Sequence, residues 1–210
     1  VPVIDSQALA PWVTRISAGE ANVLTREPVL MLEPTSGSEG EPTLFPYTRG
    51  LLEELLAATG PWLFEAYRQW PTILGTRSYW STAGAGRIGG RTEGGVPVGD
   101  TAECGYFGPV ENWANARMNA GPLTADEAAP PPTPLMVALD LLKAEDLGFI
   151  SLWCPSHLTD LVARIESNLE TLLTELPTAR ATNLRGAIND AGGVTIPALW
   201  PALSLVSCWA

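Results

Sequence analysis

The sequence predicts an α/β fold in which helices lie on a mostly parallel sheet. Short apolar segments typical of buried strands alternate with segments whose apolar residues recur every three or four positions, as in helices. Such alternation favours a layered structure around parallel strands. The composition is that of a globular protein, because 46% of the 210 residues are hydrophobic and 17% are charged. We expect residues 1–210 to form a single domain.

The predicted strands are short apolar runs bounded by glycine, proline or polar residues. The last of them reaches the end of the chain, and the first residues contain neither an initiating Met nor a signal-peptide pattern. Both ends therefore look truncated, and we expect an internal fragment of a longer protein. The predicted strands cover residues 29–33, 43–46, 77–82, 148–153 and 203–209.

The predicted helices follow from apolar periodicity and from start and stop signals. The clearest pattern begins with Ser156 as N-cap and runs to Leu176, with Pro177 ending it. Gly60-Pro61 is expected to break or kink an earlier helix. The proline run before residue 135 is a helix-start signal. The earlier predicted helices cover residues 51–56, 62–70 and 135–146.

Charge and cysteine usage exclude several classes of function. The 12 basic and 23 acidic residues give a net charge of −11, which argues against binding nucleic acid or a membrane surface. The chain has no apolar run of the ~20 residues that a membrane span needs. Three cysteines without a C-x-x-C spacing, and a single His, predict neither a disulfide framework nor a metal site and favour a reducing cytoplasm.

One loop between two predicted strands has the composition of a phosphate-binding site. It runs Thr35-Ser36-Gly37-Ser38-Glu39-Gly40-Glu41-Pro42. Its glycines allow successive backbone N–H groups to converge on one point, and its hydroxyls add further donors to phosphate oxygens. It lacks the G-x-x-x-x-G-K-[ST] pattern of a Walker A motif. An ordinary surface turn remains the alternative on composition alone.

The order of these residues resembles the phosphate-binding signature of the adenylate-forming superfamily. Leu24 through Pro46 looks like the bacterial branch of the auxin-responsive acyl acid amido synthetases. Three further blocks occur in the same order as in that family, and the resemblance spans nearly the whole chain. They are Gly94-Gly95-Val96-Pro97-Val98-Gly99, residues 150–156 and residues 199–209. The resemblance implies a partial adenylate-forming large domain.

The resemblance also implies a reaction and its participants. A small carboxylic acid would attack ATP to give an acyl-adenylate, and an amino acid would then displace AMP to form an amide. The implied cofactors are ATP and Mg²⁺. The residues implied to hold the ATP phosphates are Thr35, Ser36, Gly37, Ser38, Glu39 and Gly40.

Two departures from the family pattern keep other functions open. Thr43 stands where the family's loop commonly has Lys, and the family's adenine and ribose motifs lie beyond residue 210. We therefore expect the isolated chain to be inactive. The alternatives are an enzyme of the acyl-CoA synthetase type, and a non-catalytic degenerate homologue or interaction module.

The glycine-rich region after residue 82 is a possible acyl-substrate region. Tryptophans beside it could line an apolar pocket, and its arginines could pair with a substrate carboxylate. A solvated loop is the competing interpretation. His157 is expected to have a structural or surface role, and Cys154 is expected to lie in the core. The candidate acyl-substrate residues are Trp80, Arg87, Arg91, Gly94 and Gly95.

Overall fold

The chain divides into two compact units, each with its own sheet and hydrophobic core. The first contains Val1–Phe64 and Gly84–Asn112, and the second contains Glu65–Ala83 and Trp113–Ala210. That the chain acts as a single domain stays a prediction. The computed structural model describes residues 5–34, 43–81, 90–99, 118–121, 132–152 and 154–208.

A four-stranded sheet forms the centre of the first unit. Strands β1 (Met31–Pro34) and β2 (Leu44–Tyr47) form an antiparallel pair, as do β4 (Gly90–Arg91) and β5 (Pro97–Val98). Strand β5 also runs parallel to β1, which gives the order β2-β1-β5-β4. The strands predicted near residues 29–33 and 43–46 are confirmed, each displaced by one or two residues at its ends.

Helix α1 (Ser6–Ser17) contributes to the small core of the first unit. Its N-terminus is capped by Asp5, whose side chain accepts a hydrogen bond of 2.8 Å from the backbone N–H of Ala8. Val13 and Ile16 of this helix are buried against Leu32 of β1. Helix α1 was not predicted, and it contains Pro11, a residue that is unfavourable inside a helix.

Helix α2 (Arg49–Gln69) follows β2 directly. The Thr48 hydroxyl accepts a hydrogen bond from the backbone N–H of Leu51, and the Glu27 carboxylate accepts one from Gly50. Of the two alternatives predicted at Gly60-Pro61, a break or a kink, the break is wrong, because the helix continues through Pro61. A proline inside a helix removes one backbone N–H donor, and here that loss does not end the helix. None of the described helices is long and apolar enough to cross a membrane.

The second unit is built on three parallel strands. They are β3 (Arg77–Trp80), β6 (Leu147–Leu152) and β7 (Leu205–Cys208), in the order β3-β6-β7. Strand β6 pairs with a neighbour on each side, and all six of its residues are buried. Such burial is typical of a parallel strand with both faces covered. The three strands predicted for this part of the chain are confirmed.

A short 3₁₀ helix (Pro71–Ile73) precedes β3, and five α-helices lie wholly within this unit in the described residues. Their apolar side chains and those of β6 form one core, in which Leu141, Ile150 and Ile165 are fully buried. The prolines at the starts of α3 and α4 occupy the first turn, where a missing N–H costs least. The helices are α3 (Pro134–Lys143), α4 (Pro155–Ser167), α5 (Leu169–Glu175), α6 (Thr178–Asp190) and α7 (Ile196–Leu199).

The single helix predicted from Ser156 to Leu176 is wrong in two details. It is divided into α4 and α5 at Asn168, whose φ of −121° is not helical. The apolar periodicity continues across this break, so periodicity alone does not reveal it. The N-cap position belongs to Cys154 rather than to Ser156. Helices α6 and α7 were not predicted.

A buried arginine ties three helices of the second unit together. Arg180, in the first turn of α6, is only 6% exposed. Its guanidinium donates hydrogen bonds of 2.8 Å to the carbonyl of Leu142 in α3 and to the carbonyl of Leu199 in α7. Both carbonyls lie at helix C-termini, where backbone acceptors have no partner within the helix. Burial lowers the pKa of the Arg180 guanidinium from its usual value.

We predict that Arg180→Met lowers the free energy of unfolding by on the order of 3 kcal/mol, because two buried carbonyls lose charged donors. The matched control is Arg185→Met on the same helix, which removes an exposed ion pair with Glu170. That change is expected to cost less than about 1 kcal/mol. Urea unfolding followed by circular dichroism measures both values, and equal losses in the two variants would contradict the role of Arg180.

Candidate phosphate-binding site

The strands that hold the predicted phosphate loop are described, although the loop residues Thr35–Gly40 lie outside the described residues. Pro34, the last residue of β1, is the register partner of Leu44, the first residue of β2. Residues 35–43 therefore connect the ends of a directly paired antiparallel hairpin. Paired residues in such a hairpin have Cα atoms about 4.5–5.5 Å apart, so both ends of the loop start from neighbouring points.

Strand β1 is the best-anchored part of this hairpin. Met31 and Leu32 are 1% and 0% exposed, and the strand is paired on both sides. The backbone N–H of Gly99, just after β5, donates a hydrogen bond of 3.2 Å to the carbonyl of Leu32. Because β1 and β5 are parallel, the chain leaves β5 at the same edge of the sheet as the one from which the loop departs.

Three of the predicted acyl-substrate residues come together in the β4–β5 hairpin. Arg91 of β4 donates a hydrogen bond of 2.8 Å from Nη1 to the carbonyl of Gly95. Gly95 has a φ of 80°, in the region that favours glycine, and its N–H bonds to the carbonyl of Thr92. The guanidinium and the glycine thus shape the turn itself. A substrate role for Arg91 and Gly95 stays a prediction.

Gly94 has a structural reason to be glycine. Its backbone N–H donates a hydrogen bond of 3.0 Å to the carbonyl of Ser17, at the end of α1. A Cβ atom built on Gly94 would lie 2.1 Å from the backbone nitrogen of Gly19. No side chain fits at this distance, so the hairpin can approach α1 only with glycine here. This contact accounts for Gly94 without any ligand, and its assignment to an acyl-substrate region stays a prediction.

Trp80 belongs to the second unit, where it ends β3. Its indole N–H donates a hydrogen bond of 3.0 Å to the hydroxyl of Ser78, and its ring meets Phe149 edge-on, with centroids 5.2 Å apart. Arg87 lies outside the described residues. The structure therefore groups Arg91, Gly94 and Gly95 in one hairpin and places Trp80 in the other sheet.

The junction between β6 and α4 contains Cys154, which the sequence predicted to lie in the core. Cys154, expected in the core, is half-buried at the N-cap position of α4, with its Sγ 2.9 Å from Oγ of Ser156. Hydrogen bonds from the Ser156 hydroxyl and from the backbone N–H of His157 lower the pKa of this thiol. Parallel sheets commonly bind ligands at this edge, where strands end and helices begin. Pro155, which starts a helix directly after a strand, was the available signal.

Metal-binding side chains are not clustered in the part of the chain that the structure describes. No group of three or more His, Cys, Asp or Glu residues there is placed to hold a metal ion. The donors offered by the loop sequence are instead backbone N–H groups and hydroxyls. Such donors suit an anion.

Comparison with known proteins identifies relatives for this arrangement. The chain is similar in structure to "AtGH3.15 acyl acid amido synthetase in complex with 2,4-DB", with a TM-score of 0.77 and 14% sequence identity. That match covers 100% of this chain and 41% of the other. A second structure, "GH3.15 acyl acid amido synthetase", gives a TM-score of 0.71 at 14% identity and covers 99% of this chain and 40% of its own. No curated protein matches.

The chain thus spans about two fifths of the length of these solved structures, and at 14% identity they establish its fold. The family relationship comes from a sequence model. The model described as the GH3 family N-terminal domain matches residues 1–183. Since that match covers most of the 210 residues, this chain belongs to the GH3 family and contains sequence of its N-terminal domain.

Proposed function

We propose that this chain supplies the phosphate-binding part of an ATP-dependent ligase that joins a small carboxylic acid to an amino acid through an acyl-adenylate. The observation that carries the proposal is the β1–β2 hairpin. A Thr-Ser-Gly-Ser-Glu-Gly sequence connects two paired strands, one of which is buried and hydrogen-bonded on both sides. Membership of the GH3 family supports the reaction class.

The proposed reaction has two steps. A carboxylate oxygen attacks the α-phosphorus of ATP, an acyl–phosphate bond forms, and pyrophosphate leaves with the electrons of the broken P–O bond. The amine nitrogen of an amino acid then attacks the acyl carbon, AMP leaves, and the nitrogen loses a proton to give the amide. The loop from Thr35 to Gly40 would hold the β- and γ-phosphates and stabilise the charge that develops on pyrophosphate.

The hydrogen-bond donors of the loop suit the binding of the β- and γ-phosphates. Mg²⁺ would enter the site already bound to the nucleotide substrate. Backbone N–H groups and the hydroxyls of Thr35, Ser36 and Ser38 can donate to phosphate oxygens. Mg²⁺ bound to ATP neutralises part of the phosphate charge during transfer. Because the chain carries a net charge of −11, its long-range field does not attract ATP, and the favourable interactions must be local. The proposed location is a reducing cytoplasm, because three cysteines without a C-x-x-C spacing do not suit a disulfide framework.

We predict that this chain alone binds nucleotides weakly and does not catalyse acid-dependent exchange of pyrophosphate into ATP. The loop restrains only the outer phosphates, whereas adenylation needs the carboxylate within about 3–3.5 Å of the α-phosphorus. ATP and GTP should therefore bind alike, and EDTA should weaken both. Isothermal titration with each nucleotide and an exchange assay with aromatic and aliphatic acids provide the measurements.

One result of these assays would contradict the phosphate-binding role, and another would contradict the expected inactivity of the chain. Absence of any saturable binding of ATP or GTP in the titrations would overturn the phosphate-binding role. Robust exchange, or a strong preference for ATP over GTP, would show that the 210 residues hold a complete adenylating site, and would overturn only the expectation of inactivity.

We predict that Thr43→Lys strengthens binding of Mg·ATP. The substitution places a cation at the end of the loop, where the resembling family commonly has Lys. A hydrogen bond to a charged group contributes about 1–3 kcal/mol, or roughly 5- to 150-fold in the dissociation constant. The control is Thr171→Lys, which adds the same charge at an exposed position of α5 in the second unit. An equal gain in both variants would indicate a nonspecific effect of net charge.

A further inference from the structure

Two cysteines of the second unit lie at the same edge of its parallel sheet. Cys208 ends β7 and is the register partner of Leu152, which ends β6. Cys154 follows Leu152 by two positions and occupies the N-cap of α4. Because β6 and β7 are parallel, both chain segments reach this edge in the same direction. The fold therefore brings close two cysteines that are far apart in the sequence.

Strand geometry puts these two cysteines nearly within reach of a disulfide. Cys154 has the extended backbone of a strand, with φ of −149° and ψ of 156°. A chain that stays extended beyond Leu152 turns the Cys154 side chain to the face on which Cys208 lies. Neighbouring strands are about 4.8 Å apart and rise about 3.3 Å per residue, so two residues beyond a register pair the Cα–Cα separation is about 8 Å.

A small movement at the end of β7 would close the remaining gap. A disulfide joins Cα atoms up to about 6.8 Å apart, so the two segments must approach each other by roughly 1–2 Å. Among the described residues β7 is an edge strand, paired only with β6. Its last residue can therefore shift without displacing a further strand of the described sheet.

Both thiols are free and accessible to reagents. Cys154 is half-buried and Cys208 is exposed. A hydrogen bond from the Ser156 hydroxyl, and a smaller effect of the backbone N–H of His157, lower the pKa of the Cys154 thiol. Since the thiolate is the form that attacks oxidants, these contacts favour attack by Cys154. This edge of the sheet thus has a reactive thiol with a second accessible thiol beside it.

We propose that Cys154 and Cys208 form a reversible disulfide when the protein meets hydrogen peroxide. The bond would join the end of β7 to the N-terminus of α4, at the edge where parallel sheets commonly bind ligands. Protein disulfides in a reducing compartment are usually transient and redox-sensing, which suits a bond that a reductant can break. The proposal rests on the sheet of the second unit and on no part of the proposed ligase activity.

The reaction consumes one peroxide for two thiols. The Cys154 thiolate attacks a peroxide oxygen, the O–O bond breaks, and hydroxide leaves with the electrons of that bond, which gives a sulfenic acid. The Cys208 thiol attacks the sulfenic sulfur, an S–S bond forms, and the oxygen takes up the thiol proton and leaves as water. The hydroxide takes up the proton that Cys154 lost when it ionised, so the second product is also water. A dithiol reductant breaks the bond by thiol–disulfide exchange.

The direct test is peptide mass spectrometry of the full chain after treatment with hydrogen peroxide and alkylation of the remaining thiols. We expect a pair of peptides joined through Cys154 and Cys208, lighter by about 2 Da than the two reduced peptides together. Dithiothreitol should remove the link. The matched control is Cys104→Ser, which leaves both partners in place and should keep the yield of the link unchanged.

Single substitutions assign the order of the two steps. In Cys208→Ser the sulfenic acid on Cys154 meets no second thiol, so dimedone should label Cys154. Adding Ser156→Ala to that variant should slow the labelling several-fold, because the thiol loses the hydroxyl that lowers its pKa. In Cys154→Ser, labelling of Cys208 should be several-fold slower than labelling of Cys154 in the first variant. Serine is a favoured N-cap residue, so Cys154→Ser keeps the start of α4.

Three outcomes would overturn the proposal. The first is a peroxide-treated chain without a link between Cys154 and Cys208. The second is a link that forms as readily in concentrated urea as in buffer, because the fold would then not bring the two thiols together. The third is faster dimedone labelling of Cys208 than of Cys154, because Cys154 would then not be the attacking thiol.

Discussion

A glycine-rich loop can bind phosphate only when both of its ends are fixed, and strand β1 provides that constraint in this chain. Flexible glycines lose much conformational entropy when they are ordered, so a loop of this composition needs a rigid scaffold. Here β1 is buried, pairs with β2 and β5, and rests on Val13 and Ile16 of α1. The loop residues then begin and end on neighbouring strand ends, and the donors in their sequence can converge on one anion.

The same constraint explains the structural contacts of the β4–β5 hairpin in the first unit. The β4–β5 hairpin supports β1 from the side opposite β2, and it reaches the end of α1 only because Gly94 has no side chain. Arg91 stabilises its turn through the carbonyl of Gly95. In the second unit, Arg180 has a comparable role, since it satisfies carbonyls at the ends of two helices beside the parallel sheet. A polar residue in a conspicuous motif is thus not by itself a ligand-binding residue.

The sequence predicted the elements whose signals are local and missed those that depend on packing. The apolar run of β6 and the prolines before α3 gave nearly correct boundaries. The apolar periodicity continues through Asn168, so it did not predict the division between α4 and α5. The sequence around Pro61 did not show that α2 continues past the proline. Helix α6 was not predicted because it is only weakly amphipathic. The burial of Arg180 was not predicted because its acceptor carbonyls lie 38 and 19 residues away in the sequence. For the site, the order of residues indicated the loop, whereas the close approach of Gly94 to Gly19 has no sequence signal.

The most direct test of this account is a backbone-amide NMR titration of the full chain with inorganic tripolyphosphate. We predict saturable shifts of the amides from Ser36 to Gly40, since their N–H groups would donate to the anion. The amide of Gly94 should remain in place, because it already donates to the carbonyl of Ser17. Saturable shifts confined to other residues, or no shifts at all, would contradict the phosphate-binding role of the loop.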